Sequence, residues 1–161
     1  MEKFRTERLV ARSWRIEDLT LALELWGGPA VTALIDARGK LTAEQVEERL
    51  RDEIERERSS SVQYWALFDH RNGDFVGCGG LRPWIYTTGE RNFEVGFHLV
   101  KRSWGKGLAT EAALGALDYA WQNCGCLKSM PGTIPKIVHR NESSKGSDSS
   151  PSETFSTSRR D

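Results

Sequence analysis

The sequence has no apolar run approaching the ~20 residues of a membrane-spanning helix, and its opening, Met1-Glu2-Lys3-Phe4-Arg5, lacks the apolar stretch of a secretory signal. A cytoplasmic protein with no membrane partner is expected. Neither sign of charge is in excess: Lys plus Arg and Asp plus Glu each number 23, so no overall field draws the chain to nucleic acid or an anionic bilayer. Binding must come from a local site. Cysteine is scarce. Cys78, Cys124 and Cys126 are an odd number, and the Cys-x-Cys spacing lacks the second pair of a zinc site, so incidental or structural thiols and no metal are expected. No internal repeat is visible, and 161 residues suit one domain.

What is present reads as helices and strands in alternation. Residues 7–12 carry an apolar centre with charged flanks and predict a strand. Asp18 precedes Leu21, Leu23, Leu25 and Trp26, a helix that should stop at Gly27-Gly28-Pro29. Thr42-x-x-Gln45 is a capping box, and Val46, Leu50 and Ile54 then recur every fourth residue, predicting a second helix to about Arg58. Residues 62–68 and 75–81 are β-rich runs joined through Asn72-Gly73, a pair suited to a hairpin turn. Residues 92–100 alternate Phe93, Val95, Phe97 and Leu99 with Glu94, Gly96 and His98, which predicts a further strand carrying Glu94 and His98 on one face. A helix with small residues along one side should open at Gly107 and end near residues 123–125. From Ser129 onward nine serines and few apolar residues predict a tail that buries little. The order of elements is that of a mixed α/β domain.

The chemistry concentrates in residues 97–112, where a strand passes into a helix through Trp104-Gly105-Lys106-Gly107. A helix start exposes unpaired N–H groups and the positive end of its dipole, and glycines let a phosphate come close to the backbone. The spacing is not that of the nucleotide-triphosphate loop or the dinucleotide fingerprint. The glycines could instead form a simple tight turn. Lys106 is either a phosphate contact or a solvated side chain. The six tryptophans mostly suit core or rim packing, although Trp84 beside Pro83 could floor an acceptor pocket.

The run Trp-Gly-Lys-Gly-x-Ala-Thr-Glu-Ala after a strand resembles motif A of the GNAT acetyltransferase superfamily, in its RimJ/RimL-like branch. The family's Gln/Arg-x-x-Gly-x-Gly/Ala signature falls on Trp104, Gly107 and Ala109, or in a shifted register on Arg102, Gly105 and Gly107. Thr6-Glu7-Arg8-Leu9 with Arg12 and Asp18 is similar to the branch's opening, and Val76-Gly77-Cys78-Gly79-Gly80-Leu81 to its third strand. The resemblance covers about residues 5–127 and implies a GNAT-like α/β fold with a mixed, mostly antiparallel sheet flanked by helices. It further implies acetyl-coenzyme A as cosubstrate and a primary-amine acceptor, a protein N-terminus or a small molecule, in a monomer or homodimer. Backbone groups of Phe97, His98 and Leu99 would hold the pantetheine arm, Gly105, Lys106, Gly107, Leu108, Ala109 and Thr110 would surround the diphosphate, and Trp104 counts among the cofactor-binding residues. Glu94 is the candidate general base, with a surface ion pair as its ordinary alternative and His98 as a lesser candidate. A non-catalytic acyl-coenzyme A-binding module is the rival from a different class.

The family's C-terminal strands have no counterpart in the text from 128 to 161, so residues 1–127 are expected to form an incomplete GNAT domain and 128–161 a serine-rich, non-family tail. A one-base loss near the codons for Gly125 and Cys126 would account for this. The neighbouring frame permits family-like text, with Met130-Pro131 forcing Ala and Asn141-Glu142 forcing Arg. On that reading the chain is a frameshift product of low stability and impaired activity.

Overall fold

The computed structural model describes residues 1–35, 40–85 and 91–123. Five strands, β1 (Glu2–Arg5), β2 (Leu9–Arg12), β3 (Tyr64–Asp69), β4 (Phe75–Ile85) and β5 (Arg91–Leu99), form one sheet in the order β1-β2-β3-β4-β5. Every neighbouring pair is antiparallel. Four helices flank it: α1 (Leu19–Trp26), α2 (Pro29–Ile35), α3 (Ala43–Ser60) and α4 (Leu108–Asn123). No helix among the described residues is long and apolar enough to cross a membrane. The expected tail from residue 128 lies outside the described residues, as do Cys124, Cys126 and the Trp84 side chain.

The period-two alternation of the strands divides the core into two layers. Tyr64 and Ala66 of β3 pack with Trp26, Val46 and Leu50 of α1 and α3 on one side. Trp65 and Leu67 face the other side, against Leu108, Ala112, Ala116 and Ala120 of α4. The small side chains on α4 let its axis come close to the sheet, and Gly115 marks the tightest approach. A Cβ there would stand 2.6 Å from the Phe4 ring and 2.7 Å from the Thr6 methyl.

Two elements went unread in the sequence. β1 is four residues with an irregular register against β2, too short for alternation to register. α2 begins at Pro29, the residue taken as a helix stop; proline at a helix start loses no hydrogen bond, because the first-turn N–H has no intrahelical partner. The capping box is present: Gln45 N–H donates to Thr42 Oγ1 at 3.3 Å, and Thr42 N–H to Gln45 Oε1 at 2.9 Å. Along α3, however, Glu53 turns inward with 1% of its area exposed. Its carboxylate accepts from Arg56, Arg82 and the backbone N–H of Tyr64.

Gly115→Ala separates local propensity from packing. In an open helix the change stabilises by about 1 kcal/mol. Here the new methyl overlaps a Phe4 ring already packed edge-on to Trp65, and overpacking costs about 1–3 kcal/mol. A thermal melt should show a lower midpoint for the variant; a higher one would mean that β1 yields freely.

Candidate active site

β5 ends at Leu99, and a 3-10 turn, Lys101–Ser103, leads into the glycine pair before α4. Gly105 and Gly107 have φ of +71° and +74°, a left-handed conformation that costs other L-residues about 1–2 kcal/mol each. A Cβ on Gly105 would meet nothing within 4 Å, and one on Gly107 would find Arg8 Nη2 nearest, at 3.6 Å. Glycine is thus required by the backbone conformation, and the space in front of the turn is open. The first helical bond of α4 is Glu111 N–H to the Gly107 carbonyl at 3.2 Å. The preceding N–H groups of Leu108, Ala109 and Thr110 therefore have no intrahelical acceptor and stand at the positive end of a 16-residue helix. Lys106 is exposed, as are Gly105 and Gly107.

β5 is the last strand of the sheet among the described residues, with β4 on one side only. The Val100 N–H donates to the Val76 carbonyl, and the β4–β5 register runs without a shift from Gly77↔Leu99 to Ile85↔Arg91. The alternation of an antiparallel ladder then turns the backbone groups of His98 towards β4 and those of Phe97 and Leu99 to the open edge. At that edge the Trp104 indole N–H donates to the Leu99 carbonyl at 2.7 Å, while 39% of the residue stays exposed.

A carboxylate ties the turn to the N-terminal hairpin. Glu111 Oε1 accepts from Thr6 Oγ1 at 2.6 Å and from the Arg8 N–H at 2.7 Å, and Oε2 accepts from Arg8 Nε at 2.6 Å. Arg8 Nη1 then reaches the Lys106 carbonyl at 2.9 Å. Burial pushes the Glu111 pKa up, but the bonds from Thr6 and Arg8 outweigh it and hold the carboxyl below its ordinary value.

On the α1–α3 face of the sheet, Glu94 and His98 share a side, as the alternation requires. Tyr64 lies across β4 to reach them: its hydroxyl donates to Glu94 Oε1 at 2.7 Å, and its ring meets His98 edge-on at 5.6 Å. Gly96 makes the passage possible, since a Cβ there would stand 2.3 Å from the Tyr64 hydroxyl oxygen. Burial and the Glu94 charge drive the Tyr64 pKa far up, so the phenol remains a donor. Arg82, opposite Glu94 in the register, stacks over the Tyr64 ring at 4.4 Å and bonds Glu53. His98 Nδ1 accepts from Trp26 Nε1 at 3.2 Å, with Cys78 Sγ at 3.6 Å. Burial, then the charge of Glu53, raises the Cys78 pKa and keeps it an inert thiol. Among the described residues no His, Cys, Asp or Glu group has metal-ligating geometry.

The structure brings Glu94 and His98 to one face, and the glycine turn with the start of α4 to the far end of the same strand. Sequence reasoning missed Tyr64 and the Thr6–Arg8–Glu111 tie; Gly96 was the available signal for the first, a glycine within a strand whose face the Tyr64 ring needs cleared.

A family model described as acetyltransferase (GNAT) domain matches residues 8–146, which extends past the described residues into the serine-rich stretch. The uncharacterized N-acetyltransferase p20 of Bacillus licheniformis is 24% identical over 121 residues, covering 75% of this chain and 67% of that protein. The uncharacterized protein YkkB of Bacillus subtilis is 35% identical over 65 residues, 40% of this chain and 37% of that protein. This chain thus spans about two thirds of the first relative and little over a third of the second. Among solved structures, a GNAT-family acetyltransferase from Bacillus anthracis superposes with a TM-score of 0.62 at 21% identity, over 76% of this chain and 67% of that one. RimL, a ribosomal-protein alpha-N-acetyltransferase in complex with coenzyme A, gives 0.60 at 10% identity, over 74% and 67%. At these identities the likeness is one of fold.

The acid response of the tie is testable. Glu111 and Asp18 both have folded-state pKa values below their ordinary 4.5 and 3.8, Asp18 because its bonds from Arg12 and the Arg15 N–H outweigh its burial. A depressed carboxyl contributes stability that is complete above its unfolded pKa and lost as pH falls through its folded one. Urea midpoints should fall from pH 5 downward, and Glu111→Gln should be less stable at pH 7 yet lose less on acidification. Parallel curves for the two proteins would contradict the tie.

Proposed function

The chain belongs to the GNAT acetyltransferase family, and from that premise we propose that it transfers an acetyl group from acetyl-coenzyme A to a primary amine. One observation carries the reading: the glycine turn follows the C-terminal end of β5, and Glu94 lies five residues before that end, on a strand that has β4 on one side only among the described residues. From Glu94 to Leu99 the strand runs about 17 Å at ~3.4 Å per residue. An extended pantetheine arm, two amides with their flanking carbons, amounts to four or five peptide-like units of about 3.5 Å each. With the diphosphate on the N–H groups of residues 105–110, the thioester reaches the level of Glu94. The outward backbone groups of Phe97 and Leu99 suit strand-like pairing with the arm, whereas those of His98, also expected to hold it, face β4.

In the reaction the neutral amine attacks the thioester carbonyl, the C–N bond forms, and the C–S bond breaks as coenzyme A leaves as the thiolate, which takes up a proton from water while the proton lost by the amine returns to solvent through the base. Glu94, directly or through water, takes the proton that the amine must lose. Tyr64 holds one of its oxygens and leaves the other for the acceptor. The branch resemblance favours a protein N-terminus over a small-molecule amine as acceptor, and the setting is cytoplasmic. The stretch from about residue 128 is read as a change of frame near Gly125. The nucleotide sequence there decides that: family-like text in the neighbouring frame supports it, and its absence overturns it.

Two experiments test the function. Coenzyme A should raise the melting midpoint of the protein, and replacing Gly105 and Gly107 together by valine should abolish that shift while circular dichroism still reports a folded chain. Glu94→Gln should lower kcat for thiol release about 100-fold with the KM for acetyl-coenzyme A within about twofold. Coenzyme A stabilisation with no thiol release from acetyl-coenzyme A in the presence of any amine would instead identify a binding module.

A further inference from the structure

The N-terminal hairpin is far from β5 in the sheet order, yet its turn grips the glycine loop. Among the described residues, Arg8 makes the side-chain hydrogen bond to the backbone of residues 105–107, donating Nη1 to the Lys106 carbonyl. Its Nε holds Glu111 one turn into α4, and its Nη2 lies beside Gly107. One guanidinium thus spans the loop and the first turn of the helix. Its partner is fixed in turn: both Glu111 oxygens are occupied, by Thr6 and the Arg8 N–H on one side and by Arg8 Nε on the other. The pair is partly shielded, with 39% and 16% of the side chains exposed.

We infer that Arg8 is a positioning residue for the cofactor's diphosphate, acting through Lys106 and Glu111 and not by touching the ligand. The inference rests on the reading that residues 105–110 cradle that group. Two consecutive-but-one glycines have wide conformational freedom, so an untethered loop would present its N–H groups in many directions. Tying the carbonyl of the residue between them to a planar, hydrogen-bonded guanidinium selects one. That ordering is completed on folding, so binding does not bear it. Arg8 also offsets the Glu111 carboxylate, a negative charge on the first turn of the helix that would otherwise oppose an anion.

The arm and the diphosphate are separable by choice of ligand. In the chain of residues 1–161, Arg8→Met should weaken coenzyme A at least about tenfold by calorimetry. It should reduce kcat/KM for acetyl-coenzyme A, mainly through KM, at least about tenfold more than for acetylpantetheine, which has no diphosphate. Arg8→Lys keeps the charge but not the planar pair of bonds, and should show most of the same ligand-selective loss. Equal losses with both donors, or no loss with acetyl-coenzyme A, would overturn the inference. The double variant Arg8→Met, Glu111→Gln restores charge balance without the tie and should remain weak; recovery of coenzyme A affinity would reduce Arg8 to a counter-charge and sink the positioning role. If valine at Gly105 and Gly107 leaves coenzyme A affinity intact, the cradle itself is wrong. If it abolishes affinity while Arg8→Met does not, Arg8 alone is misread.

Discussion

The passage from β5 into α4 runs through two residues in a conformation that only glycine takes without strain, and the anion binding proposed for the start of α4 depends on that turn keeping its shape. The helix supplies the dipole and three N–H groups without helical acceptors, but it cannot aim them by itself. Aim comes from both sides of the turn. The strand fixes the entry, through the ladder that ends at Val100 and the Trp104 indole on the Leu99 carbonyl. The carboxylate of Glu111, clasped by Thr6 and Arg8, fixes the exit.

A second constraint governs the opposite face. Glu53 is a buried charge, and a buried charge is tolerated only when paired and hydrogen-bonded. It meets Arg56 from its own helix, Arg82 from β4 and the first amide of β3. Arg82 in turn lies on the Tyr64 ring, and Tyr64 carries the order outward to Glu94. A side chain at the rim of the sheet is thereby held by a chain of contacts that begins under α3. That arrangement suits the base role proposed for Glu94, whose task would be to wait at one place for a mobile amine.

Much of this was legible before any coordinates. The alternation around Phe93 to Leu99 places Glu94 and His98 together, the capping box at Thr42 starts α3, and the glycine pair marks the turn from β5 into α4. These are local signals, written within a few residues. The features that escaped are not local. Thr6 and Glu111 are 105 residues apart, Tyr64 and Glu94 are 30 apart, and no periodicity links them. Glu53 stands seven residues after Val46 and three after Leu50, on the face that α3 buries, and its charge is met there by Arg82 from another strand together with Arg56 and the Tyr64 amide, partners that the helix pattern alone does not reveal. α2 escaped for a different reason: Gly27-Gly28-Pro29 does end α1, at Trp26, but the same proline also starts the next helix.

The most direct test of the account is a coenzyme A titration followed by backbone amide resonances. The account expects the largest shifts at the N–H groups of Gly105 to Thr110, with smaller ones at Phe97 and Leu99 along the open edge of β5. Saturable binding that moves amides elsewhere and leaves those of the glycine turn in place would contradict it.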